Sequence, residues 1–292
     1  MFSNVLNKYK LGIFFILLKP RVMSLVIFTA SIGILRSPDT LHPFLFFVGI
    51  FCIAIAAGAS GALNMWYERN LDSQMLRTRS RPIPSEKITE EIVLSFGLIL
   101  SFCSVLFMGI IINWVAAFWL LFTILFYVVI YTIWLKPRTD QNIVIGGVSG
   151  ALPPLIGWLS VTPHITLEPF LLFLLIFLWT PPHFWALAMF CGYDYKNVSL
   201  PMLPHTKGKK RAAFESLIYT FLVVFISFSF YWLNYAGFFY FCCAFILGVV
   251  FIYRSFNLYF SPDNDDKARS LFGFSILYLF SLFSILGLDS FI

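Results

Sequence analysis

Charge is what this sequence has least of: Asp, Glu, Lys and Arg make up 12% of its 292 residues, against 60% hydrophobic and 20% aromatic. That balance excludes a soluble globular domain, whose core cannot absorb so much apolar surface, and makes lipid the solvent. No Gly/Ser linker or low-complexity tail interrupts the chain, so residues 1–292 read as one integral-membrane domain. The first eleven residues lack the apolar segment and small-residue cleavage site of a signal peptide, and they are too poor in Arg for a transit peptide. Cysteine is scarce as well. Cys52, Cys103, Cys242 and Cys243 fall inside apolar runs, Cys191 begins a polar loop, and no C-x-x-C pair occurs; neither a disulfide framework nor a thiolate metal site is expected.

What is present is a succession of long apolar runs without strand-like alternation, at residues 22–36, 44–67, 92–112, 114–135, 143–160, 167–190, 212–233, 236–256 and 269–288. A helix of about 20 apolar residues spans a bilayer and satisfies its own backbone hydrogen bonds there. The expected fold class is therefore an all-α polytopic membrane protein with nine transmembrane helices. With the N-terminus and every second loop assigned to one side, each of the 20 Lys and Arg residues except Arg36 falls on that side. The positive-inside rule then puts the N-terminus in the cytoplasm and the C-terminus outside. A net charge of +6 reflects those loops and implies no nucleic acid as partner. A bacterial inner membrane is the expected location.

Polar residues gather in two cytoplasmic loops, about 68–91 and 191–211, so function is expected to face the cytoplasm. The second apolar run leads directly into NMWYERNLDSQMLRTRSRP (64–82), where Asn64, Glu68 and Asp72 are spaced four apart. On a continuing helix they line one stripe about 12 Å long. Carboxylate and amide oxygens in such a stripe suit Mg²⁺, which takes one or two carboxylates and completes its shell with water and substrate phosphate. Arg77, Arg79 and Arg81 follow, and guanidinium grips phosphate through paired hydrogen bonds. Against this stands the plainer reading, that acids and arginines pair with one another and anchor a helix end. For the stripe, the cost of polar groups near the bilayer favours function.

A third polar group, Lys136, Arg138, Gln141 and Asn142, ends the fourth run, either as a solvated turn or as part of the site. In the sixth run Pro181-Pro182 is expected to break or kink the helix just ahead of His183. Such irregular backbone lines cavities within membranes, so His183 reads as substrate-facing or, alternatively, as a hydrogen-bonded packing residue. Small residues cluster at AIAAGASGA (54–62) and GGVSGALPPLIG (146–157), where helices are expected to approach closely.

NMWYERNLD with RTRSRPIP, QNIVIGGVSGALPPLIG (141–157), WTPPHFWALA (179–188) and PMLP (201–204) resemble the protohaem IX farnesyltransferases (haem O synthases) of the UbiA-type intramembrane prenyltransferase superfamily. The resemblance runs from Lys19-Pro20-Arg21 to about Gly208; beyond it only hydropathy matches. It implies helices around a central, lipid-open cavity, Mg²⁺ as cofactor, and farnesyl diphosphate and haem b as substrates. It implies farnesyl transfer to the haem 2-vinyl group with addition of water, giving haem o and pyrophosphate for terminal oxidase assembly, and association with haem A synthase or oxidase assembly factors. On the same resemblance Asn64, Glu68, Asp72 and Asp194 are the catalytic and metal-holding residues, and Arg77, Arg81, Lys136, Arg138, His183, Tyr195 and Lys207 bind substrate. Trp66, Tyr67, Trp179, Phe184 and Trp185 offer aromatic faces to a carbocation or a porphyrin.

Two positions depart from the family pattern: Asn70 stands where an acidic residue is usual, and Tyr193 stands where a second acidic residue precedes Asp194. The alternatives are a sister prenyltransferase acting on a quinone or chlorin precursor, and a haem or ion transporter. The transporter is disfavoured because the polar residues sit at cytoplasmic helix ends and not in mid-span.

Overall fold

The computed structural model describes residues 11–191 and 200–290. All regular structure among them is helical. In chain order the α-helices are α1 (Leu11–Leu17), α2 (Pro20–Leu35), α3 (Pro43–Tyr67), α4 (Arg69–Gln74), α5 (Glu90–Phe107), α6 (Trp114–Leu125), α7 (Asn142–Ala151), α8 (Pro153–Leu159), α9 (Leu167–Phe190), α10 (Leu203–Thr206), α11 (Lys209–Trp232), α12 (Phe238–Phe260) and α13 (Asp265–Asp289). π-helical turns at Met108–Ile112 and Phe126–Leu135 extend α5 and α6.

Eight helical segments are long and apolar enough to cross a membrane. They coincide within a few residues with the second to ninth apolar runs, because a run of that length has no other way to satisfy its backbone in lipid. The first run differs. There α1 and α2 form a pair bent by 61°, which brings the number of spans up to nine if the pair counts as one. Lys19 sits at the bend with a left-handed backbone, φ 52°.

Two proline pairs behave differently. Pro181 and Pro182 lie inside an unbroken α9, so the expected break ahead of His183 does not occur. Both prolines are buried, and dense packing on neighbouring helices holds the α-helical path despite the two missing backbone donors. Pro153-Pro154, by contrast, starts α8 after an interruption at Leu152. That interruption lets the fifth span meet α2 closely. A Cβ added at Gly33 would collide with the Pro154 carbonyl, and one added at Gly157 with the Ala30 carbonyl. The small-residue cluster at 146–157 therefore does allow close approach, as membrane helices require.

Two large apolar cores dominate the interior. One apolar core, with Trp179, Trp185, Phe230, Tyr240, Phe251 and Tyr278, joins α9 to α11, α12 and α13. A second, with Ile53, Ala117, Leu120, Leu152 and Ile156, joins α2, α3, α6 and α8. Phe47, Phe51, Phe102 and Phe118 are exposed on outward faces, where lipid is their natural solvent. At the end of the bundle remote from Lys19, part-buried Arg36 meets Glu168 at 2.5 Å and also donates to the Tyr235 carbonyl. The one basic residue that breaks the charge asymmetry is thus neutralised by a partner.

Candidate active site

The stripe forms where α3 ends. Glu68 leaves the helical path (φ −85°, ψ 8°) between α3 and α4, so the helix is interrupted there and not continuous as expected. The spacing survives, because the Glu68 N–H donates to the Asn64 carbonyl at 2.9 Å and the Asp72 N–H to the Glu68 carbonyl at 2.7 Å. Asn64, Glu68 and Asp72 are all buried, at 3%, 7% and 1% exposure.

Each of the three meets a cation from a different part of the chain. Lys19 Nζ donates to Asn64 Oδ1 at 2.7 Å, and Lys136 Nζ donates to Glu68 Oε1 at 2.5 Å. Arg81 Nη1 donates to both Asp72 carboxylate oxygens, at 2.8 and 2.7 Å. The Asn64 amide also donates to Thr132 Oγ1 at 3.2 Å, and the Thr132 hydroxyl donates to the Tyr127 carbonyl five residues back, within the π-helical turns. The wider π geometry appears again at Lys136, whose N–H donates to the Tyr131 carbonyl. Single π turns inside α-helices often mark functional sites. A buried carboxylate without a partner would cost several kcal/mol; three successive pairs remove that cost and leave a row of oxygens facing a row of cations.

Of the residues singled out in sequence, Asn64, Glu68, Asp72, Arg81 and Lys136 come together. Arg77 is exposed on the following loop. Arg138 is exposed and donates to the Ile133 and Trp134 carbonyls, closing the end of its own helix. Lys207 pairs with Asp140 at 3.4 Å, to which Thr206 also donates. Asn142 donates to the Pro201 carbonyl at 2.8 Å. These contacts bind the turn after the fourth span to the PMLP segment. Met75, Ile143, Ala188, Leu200 and Met202 form one small apolar cluster beside them, so the flanks of both polar loops meet at one end of the bundle. Asp194 and Tyr195 lie outside the described residues.

His183 stands elsewhere. Its ring is stacked between Trp179 (4.2 Å) and Phe272 (4.5 Å), and its Nδ1 is 2.7 Å from Ser275 Oγ. It joins α9 to α13 and, among the described residues, makes no hydrogen bond or ring contact with the stripe or its cations, the geometry of the packing alternative. Trp185 is fully buried in the same core.

Sequence reasoning missed Lys19, Thr132 and Tyr127 as site residues. Lys19 was legible only as one more positive-inside residue; its position before Pro20, inside an apolar stretch, was the available signal. Below the stripe an apolar cavity of about 130 Å³ lies between α2, α3, α6 and the α7–α8 segment, with Lys19, Gly61 and Tyr127 among its lining.

No three His, Cys, Asp or Glu side chains converge on a metal position among the described residues. Two carboxylates and an amide oxygen nevertheless fit Mg²⁺, which needs few protein ligands when phosphate and water supply the rest.

Similarity to known proteins identifies the family. A family model described as UbiA prenyltransferase family matches residues 25–281. The chain is 50% identical over 276 residues to a protoheme IX farnesyltransferase of Parvibaculum lavamentivorans, covering 94% of this chain and 87% of the relative. It is 52% identical to one of Rhodopseudomonas palustris (94% and 88% covered) and 49% identical to one of Rickettsia canadensis (95% and 90%). Two solved structures share the fold. A digeranylgeranylglyceryl phosphate synthase superposes with a TM-score of 0.81 at 19% identity, over 96% of this chain and 98% of that one. A UbiA homolog from Archaeoglobus fulgidus bound to GPP and Mg²⁺ gives 0.63 at 14% identity, over 94% and 99%. With the family model spanning all but the two ends and half the residues shared with its farnesyltransferases, the chain belongs to the UbiA prenyltransferase family.

Proposed function

We propose that this chain transfers the farnesyl group of farnesyl diphosphate to the 2-vinyl group of haem b, with addition of water, giving haem o and pyrophosphate. It does so as a multi-pass protein of a bacterial inner membrane, with both polar loops on the cytoplasmic side. The observation that carries this reading is the stripe of paired oxygens and cations, joined through Lys19 to an apolar cavity. An isoprenoid diphosphate has the same division, an anionic head on an apolar chain. The choice of farnesyl and haem rests on what the relatives at about 50% identity are named for.

Glu68 and Asp72, with Asn64 and with Asp194 from the second loop, would hold Mg²⁺, which when bound neutralises charge on the diphosphate. Lys19, Lys136 and Arg81 already sit on the stripe. They would bind the phosphate oxygens and stabilise charge that develops there in a water-poor setting. The C–O bond breaks with its electron pair leaving on pyrophosphate. The vinyl π pair then forms the new C–C bond, and the cation left beside the porphyrin takes water, which loses a proton. Arg77, exposed at the rim, meets the incoming anion. Arg138 and Lys207 act through the loops they fix in place.

The test is purified protein with haem b, farnesyl diphosphate and Mg²⁺, the product identified by mass spectrometry. A haem enlarged by one farnesyl group and one hydroxyl group is expected. An unaltered haem together with an alkylated quinone would move the chain to the sister reaction.

A further inference from the structure

We infer that the apolar cavity selects prenyl chain length by its closed end, with Ile53, Leu120 and Ile156 as the floor. This rests on the prenyl-transfer reading and adds a specificity determinant to it.

The cavity has a polar mouth and an apolar end. At the mouth Lys19 binds Asn64, and Gly61 lies one turn before Asn64 on α3. Along the same helix face the lining continues through Ala57 and Ala56 to Ile53. Ile53 and Leu120 are 2% exposed and Ile156 is 1% exposed. All three belong to the core that also contains Ala30, Cys52 and Ala117, so packed side chains lie behind the floor. Val22, in contrast, lines one side and is 61% exposed, which opens the cavity laterally toward lipid near its mouth.

Its length points to one isoprenoid chain. At about 1.5 Å per residue, α3 runs roughly 16 Å from Asn64 to Ile53, comparable to three extended isoprene units. Alanines at 56 and 57 keep the path clear, and a larger side chain there would cut it short. A fourth isoprene unit would have to displace close-packed residues, which is costly. A chain one unit shorter would leave the deep end without apolar contact, and pocket contacts of even one methylene discriminate about 10–200-fold.

The experiment compares kcat/KM for geranyl, farnesyl and geranylgeranyl diphosphate, with haem b as acceptor, in the wild type and in Ile53→Ala, Ile156→Ala and Ala56→Leu. The wild type is expected to favour farnesyl by about 10-fold or more over either neighbour. Ile53→Ala or Ile156→Ala should raise geranylgeranyl relative to farnesyl by about 10-fold, and Ala56→Leu should shift preference toward geranyl. Opposite shifts from the floor and path variants cannot come from general loss of stability, which lowers all three rates together. Unchanged ratios in variants that still transfer farnesyl would overturn the inference and leave the proposed function standing. A wild type that transfers none of the three chains would overturn both.

Discussion

The two halves of the bundle bury polar atoms in opposite ways. Between α3, α4 and the end of the fourth span, the buried groups are charged or face charge: Glu68 with Lys136, Asp72 with Arg81, and Asn64 with Lys19. Between α9, α11, α12 and α13 they are neutral, except at the far end, where Glu168 pairs with Arg36. The Tyr240 hydroxyl donates to the Ser227 carbonyl, the Tyr278 hydroxyl to Ser227 Oγ, and Trp179 Nε1 to the Ser275 carbonyl. Neutral hydrogen bonds lock helices together at little desolvation cost. Buried ion pairs seldom stabilise more than apolar packing would, so a row of them at one helix end is better explained by what the charges bind. On the proposed reading, the charged half holds partners that a metal and a diphosphate would replace, and the neutral half holds the frame around them.

That contrast breaks first, and hardest, at the stripe. Glu68→Gln and Asp72→Asn keep shape and remove charge, and each should lower turnover about 100-fold or more if one charged ligand supplies about 3 kcal/mol. Haem binding should survive. Rates near normal at low Mg²⁺, measured in single-turnover experiments, would reduce the stripe to a helix anchor.

A purely structural break comes from the close approach of α2 to α8. Gly33→Val pushes a side chain against the Pro154 carbonyl and should destabilise the fold by about 1–3 kcal/mol. Thermal unfolding in detergent measures this, and an unchanged midpoint would mean the two helices can separate freely.

His183→Ala sharpens the comparison on the neutral side. Loss of a ring held between Trp179 and Phe272 should cost about 2 kcal/mol, the low end for large-to-small core changes, with the spectrum of bound haem unaltered. A shifted Soret band at unchanged stability would place this histidine on the substrate and outside the frame.

The smallest effect is expected at Tyr278→Phe, which removes one neutral hydrogen bond and should cost about 1 kcal/mol. Turnover of the folded fraction should equal that of the wild type. A large loss of activity without a loss of stability would extend the working site into the second half.

The sequence by itself determined whatever depends on neighbouring residues. Apolar runs of bilayer length had to become helices, because lipid offers the backbone no other partner. A spacing of four kept Asn64, Glu68 and Asp72 on one stripe even though the helix is interrupted at Glu68. Small residues at 146–157 signalled close packing before any partner was known. Only the tertiary structure decided the partners. Lys19 reaches Asn64 across 45 residues and Lys136 reaches Glu68 across 68, and no local pattern encodes which distant cation a packed helix will deliver. The same holds for the prolines, where Pro181-Pro182 continues a helix that Pro153-Pro154 interrupts. It also holds for His183, whose ring lies between Trp179 and Phe272 because α13 packs there. Hydrogen bonding along the chain is local, whereas the neutralisation of a buried charge and the space left for a side chain are set by whichever elements the fold brings alongside.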